Sequence, residues 1–222
     1  MKKKIALFDL DHTLIPFDSD YEWNEFTIAL GWRDGGEFRR ANDAFFAQYR
    51  DGTLNIHDYV RFATQAIREQ GATQSIAAHT RFMEAVVLKG LQKQALDLVQ
   101  GHQQAGDAVV IVTATNEFVT RPIADAFGVH ELIAIELVRD ARGEYTGDIL
   151  GTPSFREGKV TRVQDWLAAR NMKWQDVETT FYSDSMNDLP LLDRATHPVA
   201  TNPDERLRQL ATERGWRILD LF

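Results

Sequence analysis

Ile5-Ala6-Leu7-Phe8-Asp9-Leu10-Asp11-His12-Thr13-Leu14 is the stretch from which the rest of the chain is read. Four apolar residues without a break predict a strand buried on both faces, the kind a parallel sheet uses. The carboxyl end of that strand carries two aspartates separated by one residue. In an extended chain residues i and i+2 point to the same side, so Asp9 and Asp11 crowd their charges at the rim of an apolar sheet. Their repulsion needs a shared proton, a basic side chain or a bound cation to compensate it. A strand that ends in an ordinary polar turn has the same local pattern. The carboxyl ends of strands in open α/β sheets, however, are where ligands bind.

Beyond Thr13 the periodicity becomes helical. Tyr21 to Leu30, Phe38 to Tyr49, Ile56 to Glu69 and Thr73 to Leu88 predict four helices, with Asn55 as N-cap of the third and Gly31, Gly52 and Gly71 as stops. Their aromatics (Trp23, Phe26, Phe38, Phe45, Phe46, Tyr49, Phe62, Phe82) are expected to form the core of a small bundle. From Leu91 onward helix and strand alternate. Strands are predicted at Ala108–Val112, Leu132–Ile135, Thr179–Ser183, Thr196–Ala200 and Trp216–Leu219, with a hairpin around Asp140-Ala141-Arg142-Gly143. Helices are predicted at Leu91–Gln104, Asn116–Phe127, Glu157–Arg170 and Pro203–Arg214. This alternation implies an α/β fold, a doubly wound parallel sheet of Rossmann-like type. The expected sheet domain is 1–15 and 90–222, with a helical cap at 16–89 inserted over the aspartates.

Composition narrows the function. The 222 residues are 44% hydrophobic and 26% charged, which is ordinary for a globular protein. A formal net charge of −8 argues against a nucleic-acid partner. The chain has no cysteine, which removes disulfides, thiolate metal sites and a cysteine nucleophile together. Lys2, Lys3 and Lys4 resemble the start of a signal peptide, but Asp9 and Asp11 interrupt the apolar stretch that follows. No run is long enough to span a bilayer, so a cytoplasmic protein without a membrane partner is expected. No residue pattern specifies an oligomeric state.

Three further features fall at predicted strand ends or helix starts. Thr113 closes the second strand ahead of a helix, where a hydroxyl beside exposed amides suits an anion. Lys159 stands in the first turn of a helix, a place the macrodipole disfavours for a cation. Asp184 and Asp188 flank Ser185-Met186-Asn187 after a third strand. Each alone has a plain structural reading: a strand cap, a surface lysine, a helix cap. Together, Asp9 and Asp184 with a backbone carbonyl offer the oxygen ligands Mg²⁺ prefers. Thr113 and Lys159 offer a donor and a positive charge to phosphate oxygens. One carboxylate can attack phosphorus while a second handles the protons.

Asp9-Leu10-Asp11-His12-Thr13, then Thr113, Lys159 and Asp184-Ser185-Met186-Asn187-Asp188 resemble the four ordered motifs of the haloacid dehalogenase superfamily. The helical insertion after the first motif resembles that of its phosphoserine phosphatase-like members, and Gly52 to Arg61 resembles the segment ending in their substrate-binding arginine. The resemblance implies Asp9 as nucleophile and Asp11 as general acid/base. It implies Mg²⁺ held by Asp9, the Asp11 carbonyl and Asp184, with Asp188 steadying that site, and phosphate held by Thr113, Lys159 and Asn187. Two departures bear on the substrate: Thr113-Ala114-Thr115 stands where phosphoserine phosphatases usually have Ser-Gly-Gly, and Asp18 stands where they have glutamate. The expected partner is therefore a small-molecule phosphomonoester of an amino alcohol, phosphoserine-like, with Ala114, Asp18 and Arg61 lining it and histidinol phosphate as the alternative. A phosphotransferase, a receiver-like domain and a non-catalytic phosphate-binding module are the competing classes; receivers lack the cap and place their acceptor aspartate mid-chain.

Overall fold

The structure, a computed structural model, describes residues 2–222. Strand β1 (Lys3–Phe8) is followed by α1 (Ser19–Ala29), α2 (Glu37–Asp51), α3 (Ile56–Ala63), α4 (Gln65–Gln70) and α5 (Ala72–Phe82). A π-helical turn (Met83–Val87) and a short α6 (Leu88–Gly90) lead to α7 (Lys93–Gln104). Then come β2 (Ala108–Asn116), α8 (Glu117–Ala126), β3 (Glu131–Ile135), the hairpin strands β4 (Leu137–Arg139) and β5 (Tyr145–Ile149), and α9 (Glu157–Ala168). The chain closes with β6 (Val177–Ser183), α10 (Leu189–Arg194), β7 (His197–Thr201), α11 (Glu205–Arg214) and β8 (Arg217–Leu219).

Six strands form one sheet in the order β3-β2-β1-β6-β7-β8, and every neighbouring pair in it is parallel. This is the doubly wound arrangement expected from the alternating pattern. The strand order reverses between β1 and β6, which makes their carboxyl ends the switch point of the sheet. Phe8 pairs with Tyr182, and Asp9 N–H continues the ladder to the Tyr182 carbonyl at 2.9 Å. The register therefore delivers Asp9 and Asp184 side by side.

Alternation along β1 sends Ile5 and Leu7 to one face and Ala6 and Phe8 to the other. Ile5 and Leu7 pack with Val163 and Leu167 of α9, Leu191 of α10 and Leu207 of α11. Ala6 and Phe8 join Val99 of α7 and Ile123 of α8, and this cluster runs on without a break into Trp23 of α1 and Phe82 of α5. Trp23 is the hinge of that continuity, with the rings of Phe82 at 5.5 Å and Phe118 at 5.6 Å. The helical cap and the sheet thus share an apolar core.

Three expected elements differ. The helix predicted over Ile56 to Glu69 is broken at Thr64, whose hydroxyl donates to the Val60 carbonyl at 2.6 Å; such back-bonding competes with the regular helical ladder. The helix from Thr73 to Leu88 becomes α5 and then widens into the π turn. Strand β2 passes Val112 and runs to Asn116 with a register shift, so it carries Thr113, Ala114 and Thr115 forward over the sheet edge.

Candidate active site

The nucleus of the site is a buried ion cluster. Lys159 is 1% exposed, and its Nζ donates to Asp9 Oδ1 and Asp188 Oδ2, both at 2.7 Å. Burial alone would discharge it, but the Asp188 and Asp9 carboxylates outweigh that effect and hold the ammonium above the ordinary lysine value. Two backbone features bring it there. Arg156, just before α9, has φ +52°, an uncommon conformation for a residue with a side chain. A Cβ at Gly158 would sit 2.0 Å from the Pro153 carbonyl oxygen, so the turn beside Lys159 admits only glycine.

Thr13 ties the two strand-end acids together. Its hydroxyl lies 3.3 Å from Asp9 Oδ2 and 3.2 Å from Asp184 Oδ1, and it accepts from Asp184 N–H at 3.1 Å. Asp188 accepts a further hydrogen bond from Ser183 Oγ at 2.7 Å. Burial raises Asp188 to about 6 even with the lysine beside it. Asp184 has no lysine contact, and burial with the negative charges of Asp9 and Asp188 pushes it well above the usual carboxylate range. Three carboxylates thus cluster where one ammonium touches only two of them.

Asp11 points elsewhere, into the cavity under the cap. Its oxygens accept from Ser19 N–H and from Thr115 Oγ1, each at 2.8 Å. Burial and the nearby Asp18 charge raise it to about 6, against the lowering effect of those hydrogen bonds. Asp18 is the N-cap of α1, accepting from Tyr21 N–H at 2.8 Å, and burial raises it to about 6 as well. Thr113 Oγ1 accepts from Thr115 N–H at 3.1 Å, which leaves its own proton free to donate.

One cavity gathers most of the expected residues. Asp9, Asp11, Asp18, Thr113, Ala114 and Asp184 line it on the sheet side and at its entrance. Phe45, Phe46, Tyr49 and Tyr59 line it on the cap side, so the first three face the cavity where a bundle core was expected. Lys159 and Asp188 lie directly behind its floor. Asn187 stands at the rim with its Nδ2 donating to the Tyr49 carbonyl at 2.8 Å and its Oδ1 accepting from Arg156 Nε at 3.4 Å. Arg61 is not brought in. It is 59% exposed and its guanidinium binds Asp148 of β5 at 3.0 Å, on the outside of the cap.

Thr13, Ser19, Thr115 and Ser183 also bond to the site's acids, Asp20 and Tyr59 lie beside them, and no local pattern in the sequence gives these six a part in the site. Thr115 lies two residues along β2 from Thr113, whereas Thr13 is brought back to Asp9 by the turn that follows β1, where His12 has φ +55°. Ser19, Asp20 and Tyr59 meet the site only through the packing of the cap.

These observations define a class, and comparison with known proteins agrees with it. Residues 6–193 match the family model of haloacid dehalogenase-like hydrolases, and the chain belongs to that family. Among its relatives is a histidinol-phosphatase of Neisseria meningitidis serogroup C, 39% identical over 98% of this chain and 99% of that protein. A crystal structure of a Bordetella pertussis protein of unknown function superposes with a TM-score of 0.94 at 47% identity, covering 100% of both chains. A phospho-aspartyl intermediate analogue of phosphoserine phosphatase superposes with a TM-score of 0.71 at 17% identity, over 100% of this chain and 95% of that one, a likeness of fold.

Proposed function

We propose that this chain is a Mg²⁺-dependent phosphatase whose substrate is histidinol phosphate or a close chemical relative: a small alcohol phosphate with cationic nitrogen and no carboxylate. The observation that carries the substrate reading is the make-up of the cavity, which has Asp18 in its wall, aromatic rings around it, and no lysine or arginine among its lining residues. The carboxylate of phosphoserine calls for a cation, and Arg61 is engaged with Asp148 instead. An ammonium or imidazolium meets a carboxylate and aromatic faces. The similarity to the Neisseria histidinol-phosphatase along nearly its whole length supports the same reading.

The donors present fit Mg²⁺. Among the described residues no three His, Cys, Asp or Glu side chains converge on a metal position. Two carboxylates, Asp9 and Asp184, with the Asp11 carbonyl leave the other positions to water and phosphate, as Mg²⁺ accepts. Among the described residues Asp184 has no cation in contact, and it lies beside the negative charges of Asp9 and Asp188. Asp9, Asp184 and the Asp11 carbonyl would hold the ion, with Asp188 beside Lys159 steadying Asp9, and the ion would supply positive charge to the developing phosphate.

In the first half-reaction a carboxylate oxygen of Asp9 bonds to phosphorus while the bond from phosphorus to the alcohol oxygen breaks. Asp11, raised to about 6 by burial and Asp18, gives its proton to the departing oxygen. In the second, ionised Asp11 takes a proton from water as the water oxygen bonds to phosphorus, and the bond between Asp9 and phosphorus breaks to release phosphate. Lys159 neutralises Asp9 throughout, and the Thr113 hydroxyl donates to a phosphate oxygen. Asn187 can add a donor once its amide turns from Tyr49.

Phosphate release from histidinol phosphate, phosphoserine and p-nitrophenyl phosphate at fixed Mg²⁺ is the test. The highest kcat/KM is expected for histidinol phosphate. A higher value for phosphoserine overturns the substrate reading, and no Mg²⁺-dependent release from any of the three overturns the class.

A further inference from the structure

Asn187 has both ends of its amide engaged, one on the sheet domain and one on the cap. Its backbone is fixed in the turn after β6, where its N–H donates to Ser185 Oγ at 3.2 Å. Arg156 Nε donates to Asn187 Oδ1 at 3.4 Å, and Asn187 Nδ2 donates to the Tyr49 carbonyl at 2.8 Å. Tyr49 belongs to the last turn of α2. Arg156 spans the same gap, because its Nη2 donates to the Gly52 carbonyl. A Cβ on Gly52 would lie 3.0 Å from that nitrogen, and Gly52 has φ +71°, so the contact and the helix end both call for glycine. Among the described residues these are the two hydrogen bonds that tie the end of α2 to the sheet domain.

The two carbonyls are not alike. That of Tyr49 also accepts from Gly52 N–H at 3.2 Å, so it stays paired when Asn187 leaves it. That of Gly52 has Arg156 as its donor and lies at the negative end of the α2 macrodipole, where a guanidinium is favoured. The guanidinium also lies over the Phe155 ring at 4.9 Å, and Phe155 meets the Tyr49 ring at 6.2 Å. Arg156 holds this place from φ +52°, a conformation that a residue with a side chain keeps where its surroundings enforce it.

An amide offers a donor at one end and an acceptor at the other, and a phosphate oxygen takes only the donor. With Oδ1 held by Arg156, the nitrogen is the end free to swing from the Tyr49 carbonyl to a phosphate oxygen. The exchange gives up a carbonyl that keeps another donor and gains a charged acceptor, which is the stronger partner. It also removes one of the two ties on α2. The bond from Arg156 to Gly52 is the one that remains.

We propose that Arg156 is a positioning residue for phosphate binding: it keeps the Asn187 nitrogen turned toward the phosphate, and through Gly52 it holds the cap down when Asn187 lets go of Tyr49. This rests on the reading of Asn187 as a phosphate donor and does not depend on which alcohol the phosphate carries.

Arg156→Met removes the guanidinium and keeps an apolar stem over Phe155. The probe is inorganic phosphate, with its Kd measured by titration calorimetry at fixed Mg²⁺ in wild type, Arg156→Met, Asn187→Ala and the double variant. Arg156→Met is expected to raise Kd about tenfold, the order of one charge-assisted hydrogen bond. In the Asn187→Ala background the same change should move Kd by less than about twofold, since residues acting as one unit are not additive. An unchanged Kd in Arg156→Met, or an undiminished effect without Asn187, overturns the proposal. Arg156→Lys keeps the charge but has one nitrogen for two acceptors. It keeps the proposal testable if Arg156→Met does not fold, because it too must raise Kd. Hydrogen exchange at the Gly52 and Thr53 amides tests the hold on the cap. Phosphate should speed exchange there in Arg156→Met, where neither tie is left, and leave it slow in wild type; equal responses in the two proteins overturn the proposal. Turnover of histidinol phosphate, phosphoserine and p-nitrophenyl phosphate tests the reaction and substrate readings separately, whereas the calorimetric cycle tests Arg156 without any turnover.

Discussion

Replacing Lys159 by methionine keeps an unbranched apolar stem out to the ε position and removes the ammonium. Two buried carboxylates, Asp9 and Asp188, each 2.7 Å from that nitrogen, lose their partner at once. Breaking a buried ion pair from one side costs about 3–5 kcal/mol, because the partner stays behind unpaired. For a chain of this length each kcal/mol moves Tm by roughly 2–4 °C, so at pH 8 the variant should melt about 6–20 °C below wild type. The deficit has a pH signature. Asp188 already stands at about 6 through burial, against the lowering effect of the lysine, and without the lysine it rises further. A carboxyl group raised in the folded state binds its proton more tightly there than in the unfolded chain. Its relief is therefore complete below the ordinary carboxylate range and lost as pH rises through the raised value. The gap in Tm between wild type and Lys159→Met should shrink from pH 8 to pH 5. In steady-state assays with Mg²⁺ the same variant should lose about 10²–10³ in kcat, the cost of one preorganised charge at the reacting group. Circular-dichroism melts at the two pH values and phosphate release on p-nitrophenyl phosphate measure both. A variant that melts within about 2 °C of wild type at pH 8 and turns over normally would refute the reasoning.

Asp11→Asn should cost about 10²–10⁴ in turnover through lost proton transfer, and acid-quenched samples should carry phosphate on Asp9; label on any other residue contradicts the assignment. Arg61→Ala should leave kcat/KM for the best natural substrate within about twofold and stability within ~1 kcal/mol, as its partner is a solvent-exposed Asp148; a large loss confined to that substrate would return Arg61 to the site. His79 is lowered to about 4 by burial, against the opposing bond to the Val119 carbonyl at 3.0 Å. The unfolded chain thus binds the extra proton first, and wild-type stability should fall as pH drops from about 6.5 to about 4, by up to about 3 kcal/mol. His79→Gln keeps a donor for that carbonyl and should flatten this part of the curve; parallel wild-type and variant curves between pH 7 and 4 would exclude the mechanism.

The sheet was legible because its strands are short apolar runs closed by turn residues, a pattern that depends on neighbours within about ten positions. The four motifs were legible for a related reason. Each is a short run of neighbouring residues. What marks them is two acids two positions apart at one strand's end and a lysine set against the macrodipole of a helix's first turn. The break at Thr64 escaped notice because a threonine in a helical pattern is ordinary until its hydroxyl is seen to bond the Val60 carbonyl. Arg61 misled for a different reason. Its position on α3 depends on where the cap helices turn, and an exposed ion pair with Asp148, 87 residues away, leaves no trace in local periodicity.

By itself the sequence determined the α/β class, the helical insertion after β1 and the acids at the ends of β1 and β6, because these follow from side-chain period and from which residue closes each strand. Tertiary structure alone decided which partners each acid meets. Asp9 and Asp188 received the lysine, Asp11 was turned into the cavity between Ser19 and Thr115, and Asp20 was buried against Asn116. Those distinctions arise from desolvation and from hydrogen bonds between residues far apart in the chain, and both exist only once the cap has closed over the sheet.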